Sequence, residues 1–472
     1  MKVLLVNPPT LNEIKGPHPL KADDMGVFPH LGLMYIAAVL GQADEFQVKL
    51  FDMALEKREL RDLTDLFREF KPDVVGFSSY TDCLYDLKVL VESLRKESDR
   101  VVICIGGPHV EAYPSETLEV FPVNCVIRGD GEYAFRELCR RVRDGKDWKD
   151  VRGVGYREAG KTHLNPPWQV ENLDELPFPP RQLSSMEKVK SAVARGSAIT
   201  SICSSRGCPF PCTFCNSPYK KYRLRSPSNV MEEIRHCYQE FGINEYFFFD
   251  DLFNLNKQRL MEMCEAIKNL PFKIIWSFRG RINSLDEESL RLCKDAGCNR
   301  IHFGVEAGTE RILQLYKKGL KLEDVRKIFD LCHKIGVESV GNFIIGAPTE
   351  TRQEMDATLK FAKSLNPSFV EFHVLVPYPY TEIYKEMMKR GLLKEDVWKK
   401  FALDPRPGFK PPLCEDTLSS EEMYKLLNEA YRHFYFRPWY MIKQTFKLTS
   451  FKDLCIKLKG AYRLLVVTKS AP

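Results

Sequence analysis

Two stretches of alternation organise the chain. Residues 1 to about 140 alternate short apolar runs with amphipathic stretches, and the runs at 3–6, 48–52, 74–78, 101–105 and 125–128 predict buried strands. Helical spacing of apolar residues predicts helices over 32–40, 59–70, 84–96 and 132–143. Five such units predict an α/β domain of flavodoxin-like, doubly wound parallel type, whose ligand crevice lies beyond the carboxyl ends of its strands. Regularity fails between about 150 and 190, where Asn165-Pro-Pro-Trp168 and Leu176-Pro-Phe-Pro-Pro-Arg181 read as a proline-stiffened linker. Apolar runs resume at 199–202, 245–249, 273–277, 300–305, 339–345 and 369–375 with helical patterns between them. They predict a partial (β/α)6 barrel with its active face at the carboxyl ends of the strands. Beyond about 390 the pattern is helical, with 419–437 the best amphipathic helix. The expected divisions are therefore 1–145, 146–192, 193–390 and 391–472.

The net charge of +6, from 70 basic and 64 acidic residues, is too mild to argue for a nucleic-acid partner. The opening Met-Lys-Val-Leu-Leu-Val-Asn-Pro-Pro has an apolar run too short for a secretion signal, and nothing approaches the roughly 20 apolar residues of a membrane span. The expected location is cytoplasmic. Fifteen cysteines in such a chain are not read as a disulfide framework. Most, such as Cys104 and Cys332, fit buried apolar positions.

Three cysteines depart from that pattern. Directly after the run at 199–202 comes Cys203-Ser-Ser-Arg-Gly-Cys208-Pro-Phe-Pro-Cys212-Thr-Phe-Cys215. Cys208, Cys212 and Cys215, at C-x3-C-x2-C spacing on a loop, can each take one iron of a [4Fe-4S] cubane and leave the fourth iron open. The bland alternative is a zinc knuckle with Cys203 as a fourth ligand, since zinc wants four.

This loop, with the aromatic Phe214 before its last cysteine, resembles the signature of the radical S-adenosylmethionine (SAM) superfamily. The resemblance implies that the open iron chelates the amino and carboxylate groups of SAM, whose cleavage yields methionine and a 5′-deoxyadenosyl radical. Later positions resemble the family in order. Asp250 or Asp251, after Tyr246-Phe-Phe-Phe, is implied to hold the SAM amino group, although the family's glycines are absent there. In Trp276-Ser-Phe-Arg279, Ser277 and Arg279 are implied SAM contacts, with Arg279 for the carboxylate or ribose. Glu306 is the implied ribose ligand, and Ile345-Gly346 the segment flanking adenine. Glu350 is equally a helix cap or a ligand contact, and Tyr380 stands where relatives often carry glycine, which puts the local turn in question.

The N-terminal domain resembles the cobalamin-binding domain fused to radical SAM barrels, including the anaerobic magnesium-protoporphyrin cyclase-like group. The matching residues are Asn7-Pro8-Pro9, Phe28-Pro29-His30-Leu-Gly32, Gly106-Gly107-Pro108-His109 and Arg128-Gly129-Asp130-Gly131-Glu132. Glycines at strand ends would let backbone approach the macrocycle. The D-x-H-x-x-G motif is missing, so cobalt is expected without that lower axial histidine. His30 and His109 stand as substitutes, each more often a turn or packing residue. A rival reading is a scaffold that has lost cobalamin.

The resemblance implies a cobalamin-dependent methyltransferase acting on an unactivated carbon through the 5′-deoxyadenosyl radical and methylcobalamin. The alternatives are a cobalamin-dependent cyclase or rearrangement enzyme, and a corrinoid-binding carrier or sensor. The implied partners are a small-molecule or lipid-like substrate and an external electron donor such as flavodoxin or ferredoxin. The basic, aromatic stretch 436–465 reads either as a peripheral contact with an anionic membrane surface or as packing on the barrel.

Overall fold

The computed structural model describes residues 1–12, 14, 26–42, 44–217 and 219–446. They form two compact units: Met1–Lys15 with Phe28–Val189 and Asp396–Pro411, and Gly16–Val27 with Lys190–Glu395 and Pro412–Pro472.

In the first unit, β1 (Lys2–Asn7), β2 (Gln47–Asp52), β3 (Val74–Ser78), β4 (Val102–Gly106) and β5 (Cys125–Ile127) lie parallel in the order β2-β1-β3-β4-β5. Val3 to Val6 are wholly buried, as expected of an apolar strand covered on both faces. The covering helices include α1 (Leu31–Leu40), α2 (Leu60–Phe70), α3 (Leu84–Glu97) and α4 (Gly131–Arg143). Leu33, Ala37 and Leu40 of α1 share one core with Phe135, Leu138 and Cys139 of α4. The chain leaves β1 for one neighbour and returns to β3 on the other side. The crevice at that reversal is flanked by Asn7-Pro8-Pro9 and Ser78-Ser79-Tyr80.

Two expectations about boundaries need correcting. The stretch 146–192 is not linker throughout: β6 (Val154–Glu158) and β7 (Lys161–Leu164) form a hairpin that adds antiparallel strands to β5. Its turn uses Ala159 and Gly160, both at positive φ (49° and 79°), which suits a two-residue hairpin turn. Asp396–Pro411 belongs to the first unit and not to the C-terminal region. Tyr113 donates to Asp396 at 3.3 Å and Lys399 pairs with Glu116 at 3.3 Å.

The second unit carries β8 (Ile199–Ile202), β9 (Glu245–Phe248), β10 (Ile275–Gly280), β11 (Cys298–Glu306), β12 (Glu338–Ile345) and β13 (Phe369–Val374), all parallel and in chain order across the sheet. Between and after them run α5 (Pro227–Phe241), α6 (Lys257–Lys268), α7 (Glu287–Asp295), α8 (Leu322–Ile335), α9 (Arg352–Leu365) and α10 (Ser420–Tyr435). Strand alternation separates two faces. Phe303 packs on Phe329 of α8 at 5.3 Å and the Trp276 indole donates to Ala296 O at 2.9 Å, so these positions face the helices. The alternate residues face inward.

The edge strand β13 is covered by α10. The Tyr431 hydroxyl accepts from the Phe372 amide at 2.9 Å and donates to its carbonyl at 3.1 Å, and Tyr435 does the same at Val370 (3.1 and 2.9 Å). Four helical residues rise about 6 Å, close to the roughly 6.6 Å of two strand residues, so the hydroxyls match the edge. Tyr440 continues the pattern at Ser368 O (2.9 Å), while Trp439, Met441 and Ile442 are exposed. The rest of the basic, aromatic stretch, from 447 on, lies outside the described residues. Among the described residues, no helix is long and apolar enough to cross a membrane.

Candidate active site

The three-cysteine loop leaves β8 under tight backbone control. Asp250, fully buried just beyond β9, accepts from the Ser204 amide (2.6 Å), the Ser204 hydroxyl (2.6 Å) and the Ser205 hydroxyl (2.7 Å). Burial holds its carboxyl above the usual range, against those three bonds and the neighbouring Arg259. Arg259 in turn donates to Ser204 O at 3.0 Å. Farther along, the Cys208 amide donates to Tyr219 O at 3.1 Å, and the Cys215 amide to Cys212 O at 3.2 Å. Thr213 is tied by its amide to Tyr316 O (3.1 Å) and by its hydroxyl to Leu315 O (3.0 Å). Phe214 meets the Tyr316 ring edge-on at 5.0 Å, with Lys318 Nζ 5.9 Å from its centroid. The Arg281 guanidinium lies 3.6 Å from the centre of the Phe210 ring and donates to Lys318 O.

The cysteines differ from one another. Cys208 and Cys212 are half-buried and Cys215 is exposed, whereas Cys104, Cys125, Cys139, Cys237 and Cys264 are typical of those enclosed in the cores. Cys208 and Cys212 lie close enough to Cys215 to act on its titration. Cys203 stands apart: its thiol donates to Ser205 O at 3.2 Å and burial pushes it up to about 12, so it stays protonated. Among the described residues no three His, Cys, Asp or Glu side chains are arranged to hold a single metal ion, as a zinc knuckle requires. The donor set of Cys208, Cys212 and Cys215 suits a cubane, which takes one thiolate at each of three corners.

The other expected positions gather at the carboxyl ends of β9 to β12. Asp250 has both carboxylate oxygens engaged in holding the loop, which leaves the exposed Asp251 as the carboxylate available to a ligand. Ser277 is buried on the inner face. Arg279 is exposed, its guanidinium 4.3 Å from the Phe249 ring centre. Glu306 ends β11 at φ 71°, a left-handed conformation costly for a side-chain-bearing residue, and pairs with Lys318 at 2.6 Å. A Cβ at Gly304 would collide with both members of that pair. Ile345 is buried, and Gly346 follows at φ 87°.

Glu350 caps no helix: Thr351 is the N-cap of α9, in a capping box with Glu354. One Glu350 oxygen accepts from the Gly346 (2.7 Å) and Ala347 (2.9 Å) amides, and the other is buried without a partner. Burial raises its carboxyl to about 7. Tyr380 takes the left-handed conformation, φ 63°, that the absent glycine would have taken.

In the first unit the Asn7 side chain donates to Asp52 at 2.7 Å, and Pro8 is buried beside it. His30 is the N-cap of α1: its Nδ1 accepts from the Leu33 amide at 3.1 Å, so Nε2 carries the proton and donates to Ser78 Oγ at 2.8 Å. Both ring nitrogens are occupied, as in a turn residue. His109 is wholly buried, with Nδ1 3.0 Å from Thr81 Oγ1, and burial lowers its titration to about 3. Two of the glycines serve the protein's own backbone. A Cβ at Gly107 (φ 106°) would lie 2.8 Å from Ser79 O, and one at Gly129 (φ 90°) would strike Trp168 O. Gly106 has no such neighbour and ends β4 at the crevice.

Sequence reasoning gave Arg281 no role although it closes the segment 276–281, and it missed Lys318, Tyr316 and Arg259, which lie tens of residues from the loop in the chain and carry no motif.

Comparison with known proteins agrees with this layout. Residues 202–362 match the radical SAM superfamily and residues 18–139 the B12 binding domain. A Pyrococcus horikoshii protein described as an uncharacterized methyltransferase is 35% identical over 453 residues, 95% of each chain. The anaerobic magnesium-protoporphyrin IX monomethyl ester cyclase of Rubrivivax gelatinosus is 25% identical over 92% of this chain and 77% of its own length. The fold is that of OxsB, a cobalamin-dependent S-adenosylmethionine radical enzyme, with a TM-score of 0.74 at 17% identity, covering 99% of this chain and 71% of that one. TsrM, the radical S-adenosylmethionine methyltransferase of Kitasatospora setae, gives 0.67 at 21% identity over 82% of this chain and 75% of that one. With both domains matched and a relative similar over nearly its whole length, the chain belongs to the radical SAM superfamily, in the branch that carries a B12-binding domain.

Proposed function

We propose that the protein is a cobalamin-dependent radical SAM methyltransferase that places a methyl group on an unactivated carbon of a small molecule. The observation that carries this reading is the accessible cysteine trio on a braced loop at the carboxyl ends of six parallel strands. In it the first unit is a flavodoxin-like domain, supported by the order β2-β1-β3-β4-β5, and the second a partial (β/α)6 barrel, supported by six parallel strands in chain order.

When bound, the cluster and SAM supply a 5′-deoxyadenosyl radical, and cobalamin supplies the transferable methyl group. The chain's own residues bind and orient. Cys208, Cys212 and Cys215 hold the cluster, and Phe214 is fixed beside it by Tyr316. Asp251 accepts from the SAM amino group, and Ser277 and Arg279 face its carboxylate. Glu306 engages ribose once it trades part of its pairing with Lys318. Ile345 and Gly346 flank the adenine, held by the Glu350 carboxylate. In the first unit Asn7, Pro8 and Gly106 border the cobalamin crevice, while Gly107, Gly129 and His109 shape its backbone. His30, with both ring nitrogens engaged within the protein, would border the corrin without being free to ligate its cobalt. The electron comes from an external donor of the flavodoxin or ferredoxin class. The exposed Trp439, Met441 and Ile442 support a peripheral membrane contact by the C-terminal region.

The relative named a cyclase supports a second reading, ring closure or rearrangement without methyl transfer. Anaerobic turnover of the holoenzyme with methyl-deuterated SAM and host extract separates the two. Methyl transfer gives a deuteromethyl product together with S-adenosylhomocysteine and 5′-deoxyadenosine. Deoxyadenosine and methionine alone, with no labelled product, would reject it.

A further inference from the structure

We propose that Glu350 is a positioning residue for the adenine of SAM and acts as a neutral acid: its carboxyl hydroxyl donates to the buried Tyr316 hydroxyl, and this bond ties the turn after β12 to the loop that carries the cysteines. The inference rests on reading Ile345 and Gly346 as the residues that flank adenine.

That turn is held from several sides. Gly346 at φ 87° and Thr349 at φ 64° are both left-handed, and a β-branched residue adopts that conformation only where its surroundings impose it. Arg311, on the short helix Glu310–Leu315, donates to Thr349 O at 2.8 Å and to the Thr349 hydroxyl at 3.1 Å. The Thr349 amide donates to Asp416 at 2.9 Å, and Asp416 pairs with Arg390 at 2.7 Å. Met423 closes over Gly346, where a Cβ would lie 2.7 Å from its sulfur. From within, one Glu350 oxygen takes the Gly346 and Ala347 amides.

The other Glu350 oxygen is buried without a partner, in a side chain with no exposure. Tyr316, just past the same short helix, is wholly buried too, and its hydroxyl also lacks a partner. Burial raises the Tyr316 phenol well above its ordinary value, reinforced by Glu350 first and then by Glu306 and Cys414. Arg311 acts on Glu350, but all three of its nitrogens are bonded to Thr349 or Glu354, and Glu354 adds a like charge. Cys414, pushed up to about 11 by burial, stays protonated. A charge on the second oxygen would therefore stand buried and uncompensated. A proton there leaves the carbonyl oxygen to the two amides and gives the hydroxyl a bond to donate, for which Tyr316 is the unengaged acceptor. Tyr316 already joins the cysteine loop, through the Thr213 amide at 3.1 Å and the Phe214 ring at 5.0 Å.

Proton binding and SAM binding are then linked. Burial brings the Glu350 carboxyl to about 7. Adenine seated on Gly346 takes more water from the turn and strengthens the hold on the proton. SAM binding near neutrality accordingly takes up a proton from solvent, and affinity falls as pH rises above about 7, where the free protein has lost that proton.

The test uses full-length, anaerobic holoenzyme. Calorimetry of SAM binding at neutral pH, in two buffers of different protonation enthalpy, counts the protons taken up. Wild type is expected to exceed Glu350→Gln by about 0.3–0.5 proton per SAM, a difference in which every other titrating group cancels. Its SAM affinity should fall about threefold or more relative to that variant between about pH 6 and 8.5. Infrared spectra without SAM provide the second measurement. The carbonyl band of a protonated carboxyl, identified by its loss in Glu350→Gln, is expected to move to higher frequency in Tyr316→Phe. Iron and corrin contents matched to wild type keep both variants interpretable. Equal proton uptake by wild type and Glu350→Gln, or a carbonyl band unmoved in Tyr316→Phe, would overturn the proposal. Failure of all three proteins to bind SAM at any pH, with the band and its shift in place, would instead reject the reading of this turn as an adenine site.

Discussion

Asp250 and Asp251 are neighbours in the chain with opposite expected roles, and replacing each by asparagine separates them. Asp250 is fully buried, and one of its oxygens accepts both serine hydroxyls while the other takes the Ser204 amide. Bonds to a charged acceptor contribute about 1.5–3 kcal/mol each. In Asp250→Asn the amide oxygen can keep both serine hydroxyls, but the amide nitrogen then faces the Ser204 amide and cannot accept from it, so at least one of the three bonds is lost. Relief of the desolvation that raises its carboxyl offsets part of the loss. A net destabilisation of about 1–2 kcal/mol follows, or roughly 2–8 °C in the melting of a domain this size. Asp251 is exposed, so its asparagine variant should stay within about 0.5 kcal/mol of wild type in stability. Loss of one charge-assisted bond should nevertheless weaken SAM binding about tenfold or more. Calorimetry of the anaerobic protein and equilibrium dialysis with SAM read the two effects. If Asp250→Asn melted within about 1 °C of wild type and lost SAM, while Asp251→Asn bound normally, the reasoning would be wrong.

Other consequences are equally specific. Glu350 is fully buried and raised to about 7 from 4.5, so below about pH 4.5 it is protonated whether folded or not, and above about 7 its buried charge costs about 3 kcal/mol. Wild type should therefore lose stability relative to Glu350→Gln as pH rises through that window, and parallel pH profiles of the two in denaturant unfolding would refute it. Tyr380, at φ 63°, holds a left-handed conformation that glycine adopts without that cost, so Tyr380→Gly should stabilise by about 0.5–1 kcal/mol in the same assay. A loss of stability there would mean that the ring is held by contacts outweighing its backbone strain.

The parallel strands were readable because their apolar runs are largely buried, and ten of the eleven read from the sequence lie within two residues of their place in the fold, the run at 273–277 ending three short of Gly280, with the helix-facing Phe303 and inward His302 following from simple alternation. The hairpin at 154–164 was not. One of its strands is largely exposed and its turn pair, Ala159-Gly160, is a weaker signal than Asn-Gly. In the site, the cysteine spacing was legible on its own, but burial alone distinguishes Asp250 from Asp251. Gly107 and Gly129 show a different limit: sequence reveals that a backbone must come close, not whether the neighbour is a ligand or, as here, Ser79 and Trp168. Lys318 and Tyr316 act on the loop across about a hundred residues of chain, a separation over which periodicity and motifs carry no information.

The most direct measurement is electron paramagnetic resonance of the anaerobically reconstituted, dithionite-reduced protein, with and without SAM. The account predicts a [4Fe-4S] signal that SAM alters, through the iron lacking a protein ligand, and that vanishes when Cys208, Cys212 and Cys215 are replaced by alanine. A signal indifferent to SAM, or one that survives loss of the three thiolates, would contradict it.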